Sequence, residues 1–370
     1  MLFWARESAG YSIESAAKKL KLDPTTLEEW EVGISLPTYA QLKRIGSLYN
    51  RPTMAFYLMD PPKDFQIVKD FRSSQASSMP LSPAARFELR IAQQRQEWAR
   101  EYLEDEETPI LPFVETVTID HEPMVVASTI RNLLGVTIEQ QTASDSLRDG
   151  FGFWKRRLES IGVFVFQFSK VAIEELRGFA LTCKIGPVVA VNSKDYKLAK
   201  PFTLLHEFAH IMLGVSALSD DNGFQSNHQV ERFCNRVAAE ALMPRDDFLA
   251  NLPPDWEGNP ESAANKMAAR YCSSVSATLY RFVDLGLFPF DKIYLIARRY
   301  RRIEVPEKPD AKPIPQSRLV VSRLGSFFPR LAVSAFLGGA IHGGELAGLL
   351  KMKLKHLPKL EGALGIRGEL

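Results

Sequence analysis

The stretch from residue 202 to residue 213 constrains this chain more than any other. Two histidines, His206 and His210, stand four positions apart with Glu207 between them. Their flanks are apolar: Leu204, Leu205, Phe208, Ile211, Met212 and Leu213. Such a run reads as a buried helix. Four residues make about one helical turn, so His206 and His210 project from one side and Glu207 comes off beside them. Two buried imidazoles and a buried carboxylate need partners, which the rest of the fold must deliver.

One way to satisfy them is a metal ion. A helical His-Glu-x-x-His pattern lets both imidazoles grip one zinc ion, with the glutamate placed to take a proton from water. A catalytic zinc also needs a third protein ligand and one open position. The chain offers Glu231, twenty-one residues past His210 (231 − 210 = 21). That is enough for a loop and a returning helix. Glu240, Cys234 and His228 compete for the same role on spacing alone. A thiolate suits a closed structural site better, which counts against Cys234. His and carboxylate donors also accept manganese or iron. The plainer alternative is a pair of core histidines satisfied by neighbouring polar groups, with Glu231 on a wet helix face.

At 370 residues the chain is long enough for two or three domains. Its apolar share of 45% and charged share of 24% are those of an ordinary globular protein. A net charge of +2 gives no global case for nucleic acid. Three scattered cysteines, Cys183, Cys234 and Cys272, suggest neither a disulfide framework nor a Cys-x-x-Cys site, and fit a reducing cytoplasm. No run of about twenty apolar residues is present, so no membrane partner is expected.

Residues 1–60 read as short helices. Ser12 caps one, Pro24 opens the next, Gly33 stops it and Pro37 begins another. Helix, tight turn, helix suggests a helix-turn-helix. Residues 73–83 read as a serine-rich linker, 84–106 as a long helix, and 124–134 and 151–161 as further helices. Short β-branched or aromatic runs at 163–168, 178–182 and 187–192 read as strands. Helices return from 229, a proline-rich linker covers 304–316, and 317–360 is helical with a glycine-rich break at 338–344. No long internal repeat is visible. The fold class is therefore α+β and mainly helical. The expected divisions are 1–60, a linker and helix at 61–106, a main domain at 107–303, a linker at 304–316 and a helical segment at 317–370.

Set together, Phe202 through His210 and Glu231-x-Phe233-Cys234-Asn235-Arg236-x-Ala238-Ala239-x-x-Leu242-Met243-Pro244 resemble the ImmA/IrrE metallopeptidase family. Val275-Ser276 through Leu285-Gly286 is similar to that family's closing segment. The resemblance implies a zincin-like domain with His206, His210 and Glu231 as metal ligands and Glu207 as general base. It implies zinc as the cofactor, Asn235 as support for the site, and a protein substrate, a transcriptional repressor or other regulator. The strand at 187–192, just before the active helix, is then expected to receive the substrate as an added strand. His228 and Tyr271 are candidates for stabilising the oxyanion.

Trp4-Ala5-Arg6-Glu7, Trp30-Glu31-x-Gly33, Pro37-Thr38 and Asp70-Phe71-Arg72 resemble the XRE-type helix-turn-helix fused to such peptidases. Ser322-Arg323-Leu324-Gly325 and Leu349-Leu350-x-Met352-Lys353 are similar to the C-terminal part of longer members. If the first module meets DNA, Thr25 and Thr26 begin its recognition helix and Lys18, Lys19 and Lys21 face phosphates. Residues 1–60 balance seven basic against seven acidic groups, a poor charge pattern for that task. The competing reading is a DNA-binding regulator or antitoxin whose metal site is structural or regulatory.

Overall fold

The computed structural model describes residues 1–62, 81–143, 149–214, 224–303 and 314–366. The Asp70-Phe71-Arg72 likeness and most of both expected linkers lie outside the described residues. The chain forms two compact units, Met1–Ile91 and Ala92–Leu370. The finer five-part division is our proposal.

The first unit contains α1 (Leu2–Ala9), α2 (Ile13–Leu20), α3 (Pro24–Val32) and α4 (Tyr39–Tyr49). Each start has a local cause. Ser12 accepts from the Ser15 amide and Asp23 from that of Thr25, each satisfying a first-turn donor with no helical partner. Thr38 and Gln41 form a reciprocal capping box, which puts the start of α4 at Tyr39, two residues beyond Pro37. The core is Ala5, Ala16, Ala17, Leu27, Trp30 and Ile45; the three alanines let the short helices approach closely around the larger side chains. Across it, Arg6 grips Glu31 through two hydrogen bonds of 2.7 and 2.9 Å. Helix α5 (Pro83–Asp105) contributes its first turns to this unit, where Arg90 donates to the Tyr49 and Asn50 carbonyls.

In the second unit, the rest of α5 is followed by α6 (Pro123–Leu133), α7 (Ile138–Thr142) and α8 (Gly150–Ser160). Three strands come next: β1 (Phe164–Phe168), β2 (Gly178–Leu181) and β3 (Val188–Asn192). Helices α9 (Lys200–Leu213), α10 (Phe224–Leu242), α11 (Arg245–Ala250), α12 (Pro260–Tyr271), α13 (Val275–Asp284) and α14 (Phe290–Ile303) follow. The described chain closes with α15 (Gln316–Leu324), α16 (Phe327–Leu337), α17 (Gly343–Leu350) and α18 (Leu357–Leu364). The architecture is α+β, largely helical, around one small sheet.

The sheet runs β1-β3-β2, with β1 parallel and β2 antiparallel to β3. This corrects one expectation. The strand at 188–192 is the central one, so both its edges are already paired and it cannot receive a substrate. It is buried at every residue, as a run of Val and Ala without alternation requires. Helix α9 packs on β2 and β3, and α15 lies against β1.

The last helices are fastened to α8 by two charged side chains one turn apart. Lys155 donates to the Val321 and Ser322 carbonyls near the end of α15, and Glu159 accepts from the Ser326 amide and hydroxyl at the start of α16. A cation meets a helix C-terminus and an anion meets an N-terminus, both favourable to the helix dipole. Gly325 makes the corner between them at φ 73, ψ −169. No single helix among the described residues is long and apolar enough to cross a membrane. The bent pair α15–α16 passes on length and composition, but its corner is 116° and Phe328 is packed edge-on against Phe164 and Phe166.

Candidate active site

Helix α9 is buried along most of its length, and its last carbonyls are taken by the amides of Glu115, Thr116 and Val117. It presents His206 and His210 on one side, with ring centroids 4.9 Å apart and nearly perpendicular planes. Helix α10 returns beside α9, burying Val230, Cys234, Val237, Ala238 and Ala241 at three- and four-residue spacing. That face carries Glu231 to the histidines.

Three donor side chains converge. His206 Nε2 and His210 Nε2 are 3.2 Å apart. Glu231 Oε2 lies 3.3 Å from the first and Oε1 lies 3.4 Å from the second. Donors about 2.0–2.1 Å from a common tetrahedral centre are separated by about 3.3–3.4 Å, so each of these gaps is close to the spacing of two ligands on one zinc ion, with the carboxylate turning one oxygen to each ring. Both Nδ1 atoms are buried without a hydrogen-bond partner among the described residues, so the polar contacts of each ring run through Nε2 toward the shared point. Two imidazoles and a carboxylate also form a donor set that suits zinc. The residues present fit a divalent ion.

The charges respond to this crowding. Burial pushes the Glu231 carboxyl up, but hydrogen bonds and charge from His206 and His210 outweigh it and hold the group well below the ordinary carboxylate range. Burial works against the His206 cation, yet the bond to Glu231 and the charge of Glu207 leave the ring more basic than usual. Glu207 shifts opposite to Glu231: burial, the dominant cause, raises its carboxyl.

A residue that sequence reasoning missed sets the position of Glu207. Gly178 opens β2, and a Cβ there would come within 2.8 Å of Thr203 Cγ2, 2.9 Å of Glu207 Oε1 and 3.0 Å of the Ala190 carbonyl. Only a glycine lets α9 and the Glu207 carboxylate lie this close to the strand. A glycine at the head of a strand was the available signal.

The other candidates are elsewhere. Glu240 is held by Arg281 and by the Arg245 amide. The Cys234 thiol is fully buried and pushed well up by that burial. His228 is exposed, outside the group of converging donors. Tyr271 is buried with its hydroxyl on Asp247, which removes it as an oxyanion donor. Asn235, one turn past Glu231, is near enough to His206 to add to its basicity.

The comparisons agree with this geometry. Residues 158–283 match the family model described as the IrrE N-terminal-like domain, of the M78 peptidases, and residues 2–55 match that of a helix-turn-helix. Residues 158–283 thus carry a domain of the ImmA/IrrE type, behind an N-terminal helix-turn-helix. No curated protein matches the chain closely. The ImmA/IrrE-type region runs from the end of α8 to α13, so it holds the sheet and both helices of the site. The family indicates a peptidase and is typically metal-dependent. The helix-turn-helix match supports DNA binding. In that module Thr25 is exposed and hydrogen-bonded to Asp23 at 2.6 Å, Thr26 is half-buried, and Lys18, Lys19 and Lys21 are exposed.

Proposed function

We propose that this chain is a zinc-dependent endopeptidase acting on a protein, in the cytoplasm. His206, His210 and Glu231 hold the ion and Glu207 is the general base. The observation that carries this reading is the convergence of two Nε2 atoms 3.2 Å apart with one carboxylate whose two oxygens lie 3.3 and 3.4 Å from them. Three free cysteines fit the reducing compartment.

A divalent ion held there supplies a Lewis acid for the scissile carbonyl and brings the pKa of a water toward neutrality. The remaining work belongs to the chain. Glu207 accepts the proton of the attacking water and delivers it to the leaving amine. Burial raises its carboxyl toward the working pH, which favours a group that must both take and give a proton. Gly178 keeps that carboxylate against β2.

The same strand is the proposed seat of the substrate. The Asn192 amide donates to the Arg177 carbonyl at 2.7 Å, which fixes the phase of the β2–β3 ladder. Phe179 and Leu181 then bond inward, while the backbones of Gly178 and Ala180 point away from β3, and of these two Gly178 is the one that reaches the surface, Ala180 being fully buried. An extended peptide pairing there lies beside Glu207. That the substrate is a transcriptional repressor rests on the family resemblance alone. The Glu207→Gln variant is expected to keep its metal and to lose cleavage of a cognate protein by at least about a hundredfold, the scale of a lost general base. Cleavage at the parental rate would remove Glu207 from the mechanism.

A further inference from the structure

One backbone corner occurs at both ends of the described chain. In the first unit, Ser12 caps α2 by accepting from the Ser15 amide, and α2 runs eight residues to Leu20. Lys21 then turns left-handed at φ 57, ψ 50, and the Leu22 amide reaches back to the Ala17 carbonyl at 3.0 Å. In the second unit, His342 caps α17 by accepting from the Glu345 amide, and α17 runs eight residues to Leu350. Lys351 turns left-handed at φ 49, ψ 45, and the Met352 amide reaches back to the Ala347 carbonyl at 3.2 Å. Every landmark falls at the same spacing. Ala17, Leu20 and Lys21 correspond to Ala347, Leu350 and Lys351.

The helices around the second corner also correspond. Ala5 of α1 and Ala335 of α16 are both fully buried at equivalent positions ahead of the cap. Beyond the corner, α3 is matched by a short 3-10 turn (Leu354–His356) leading into α18. Trp30 and Leu360 are the equivalent buried anchors. Helix α16 packs on α17 and on α18, and α18 also lies against α15; Ala332, Leu346 and Leu364 are buried there.

The two corners differ in charge. Helix α3 carries Glu28, Glu29 and Glu31 and no lysine or arginine. The segment 351–361 carries four lysines against one glutamate, and Lys353, Lys355 and Lys359 are exposed. Across 314–366 there are seven lysines and arginines and two acidic residues. A similar left-handed corner at Cys272 joins α12 to α13, but there the second helix is packed in, with Ser274, Ser276, Thr278 and Arg281 all buried. Of these three corners, the C-terminal one couples an outward second helix to an excess of positive charge.

We propose that α16–α18 form a second helix-turn-helix, which binds double-stranded DNA. Lys353, Lys355 and Lys359 neutralise phosphates, and the turn beginning at Leu354 enters the groove. In helix-turn-helix proteins the start of the second helix meets the bases and its flanks meet the backbone, which is where these lysines stand. This site lies outside both regions matched by family models and is independent of the peptidase reading.

The test is fluorescence anisotropy of the full chain on a labelled random-sequence duplex of about 30 base pairs, from about 50 to 200 mM salt. Each phosphate contact adds about 0.9 to the slope of log affinity against log salt. The triple variant Lys353→Glu/Lys355→Glu/Lys359→Glu is expected to bind at least about tenfold more weakly and to lose about 3 from that slope. Lys18→Glu/Lys19→Glu/Lys21→Glu is expected to retain the larger part of both. If the first triple melts below the parent, the corresponding Gln triple is read instead, with the same loss of slope. Parental affinity and slope in the C-terminal triple would overturn the proposal. So would a parent that ignores DNA and binds phosphatidylserine vesicles.

Discussion

The site depends on a few side chains whose identity the sequence declares and whose partnership it does not. His206, Glu207 and His210 are legible because a four-residue spacing has one meaning on a helix. Glu231 and Glu240 are both acids on one apolar helix, and nothing in their own spacing ranks them. The resemblance favoured Glu231; in the structure it is the carboxylate that meets both imidazoles, while Arg281 holds Glu240. Gly178 offered only the weak signal of a glycine at the head of a strand, since its importance comes from a helix that approaches it from twenty-five residues further along (203 − 178 = 25). Gly178→Ala is expected to displace the Glu207 carboxylate while leaving the three donor side chains in place. Peptidase activity should fall by about ten- to hundredfold, the scale of an ångström-sized misplacement, with metal content unchanged in the same preparation. Full activity in the alanine variant would mean that the strand does not position Glu207.

At the scale of elements, the sequence located all three strands and the helices from α2 to α9 other than α7 to within a residue or two, because caps and β-branched runs are local signals, while it left the helices beyond α10 undivided. It missed α7, whose five residues are too few to show a period. It also misjudged the sheet. Nearness in sequence to α9 suggested that β3 was an edge, whereas β3 lies between β1 and β2. Strand order is set by crossovers, which leave no local trace. The fastening of α15 and α16 to α8 was equally silent, although Ser322-Arg323-Leu324-Gly325 drew notice as a motif. Its glycine now has a reason. At φ 73, ψ −169 the backbone is in a region that is almost exclusive to glycine, and a Cβ would sit 1.7 Å from Glu159 Oε1. Gly325→Ala is expected to destabilise the protein by about 1–3 kcal/mol, read as a lower Tm. Adding Glu159→Ala should cost less than the two single changes together, because the clash disappears and only the backbone strain remains. Strict additivity would show that the corner and Glu159 are independent.

For the whole molecule, two compact units carry two kinds of chemistry. Composition made the chain look electrostatically neutral, and that average concealed an acidic recognition helix in one unit and a lysine-rich segment in the other. The hydrolytic function, in turn, stands on one claim: that α9 and α10 exist to hold a divalent ion between them. Metal quantification on the purified chain tests it without any knowledge of substrate. About one zinc per chain is expected in the parent and in Glu240→Ala, with most of it lost in Glu231→Ala. Zinc retained by Glu231→Ala and lost from Glu240→Ala would contradict the account, as would a folded parent that binds no divalent ion.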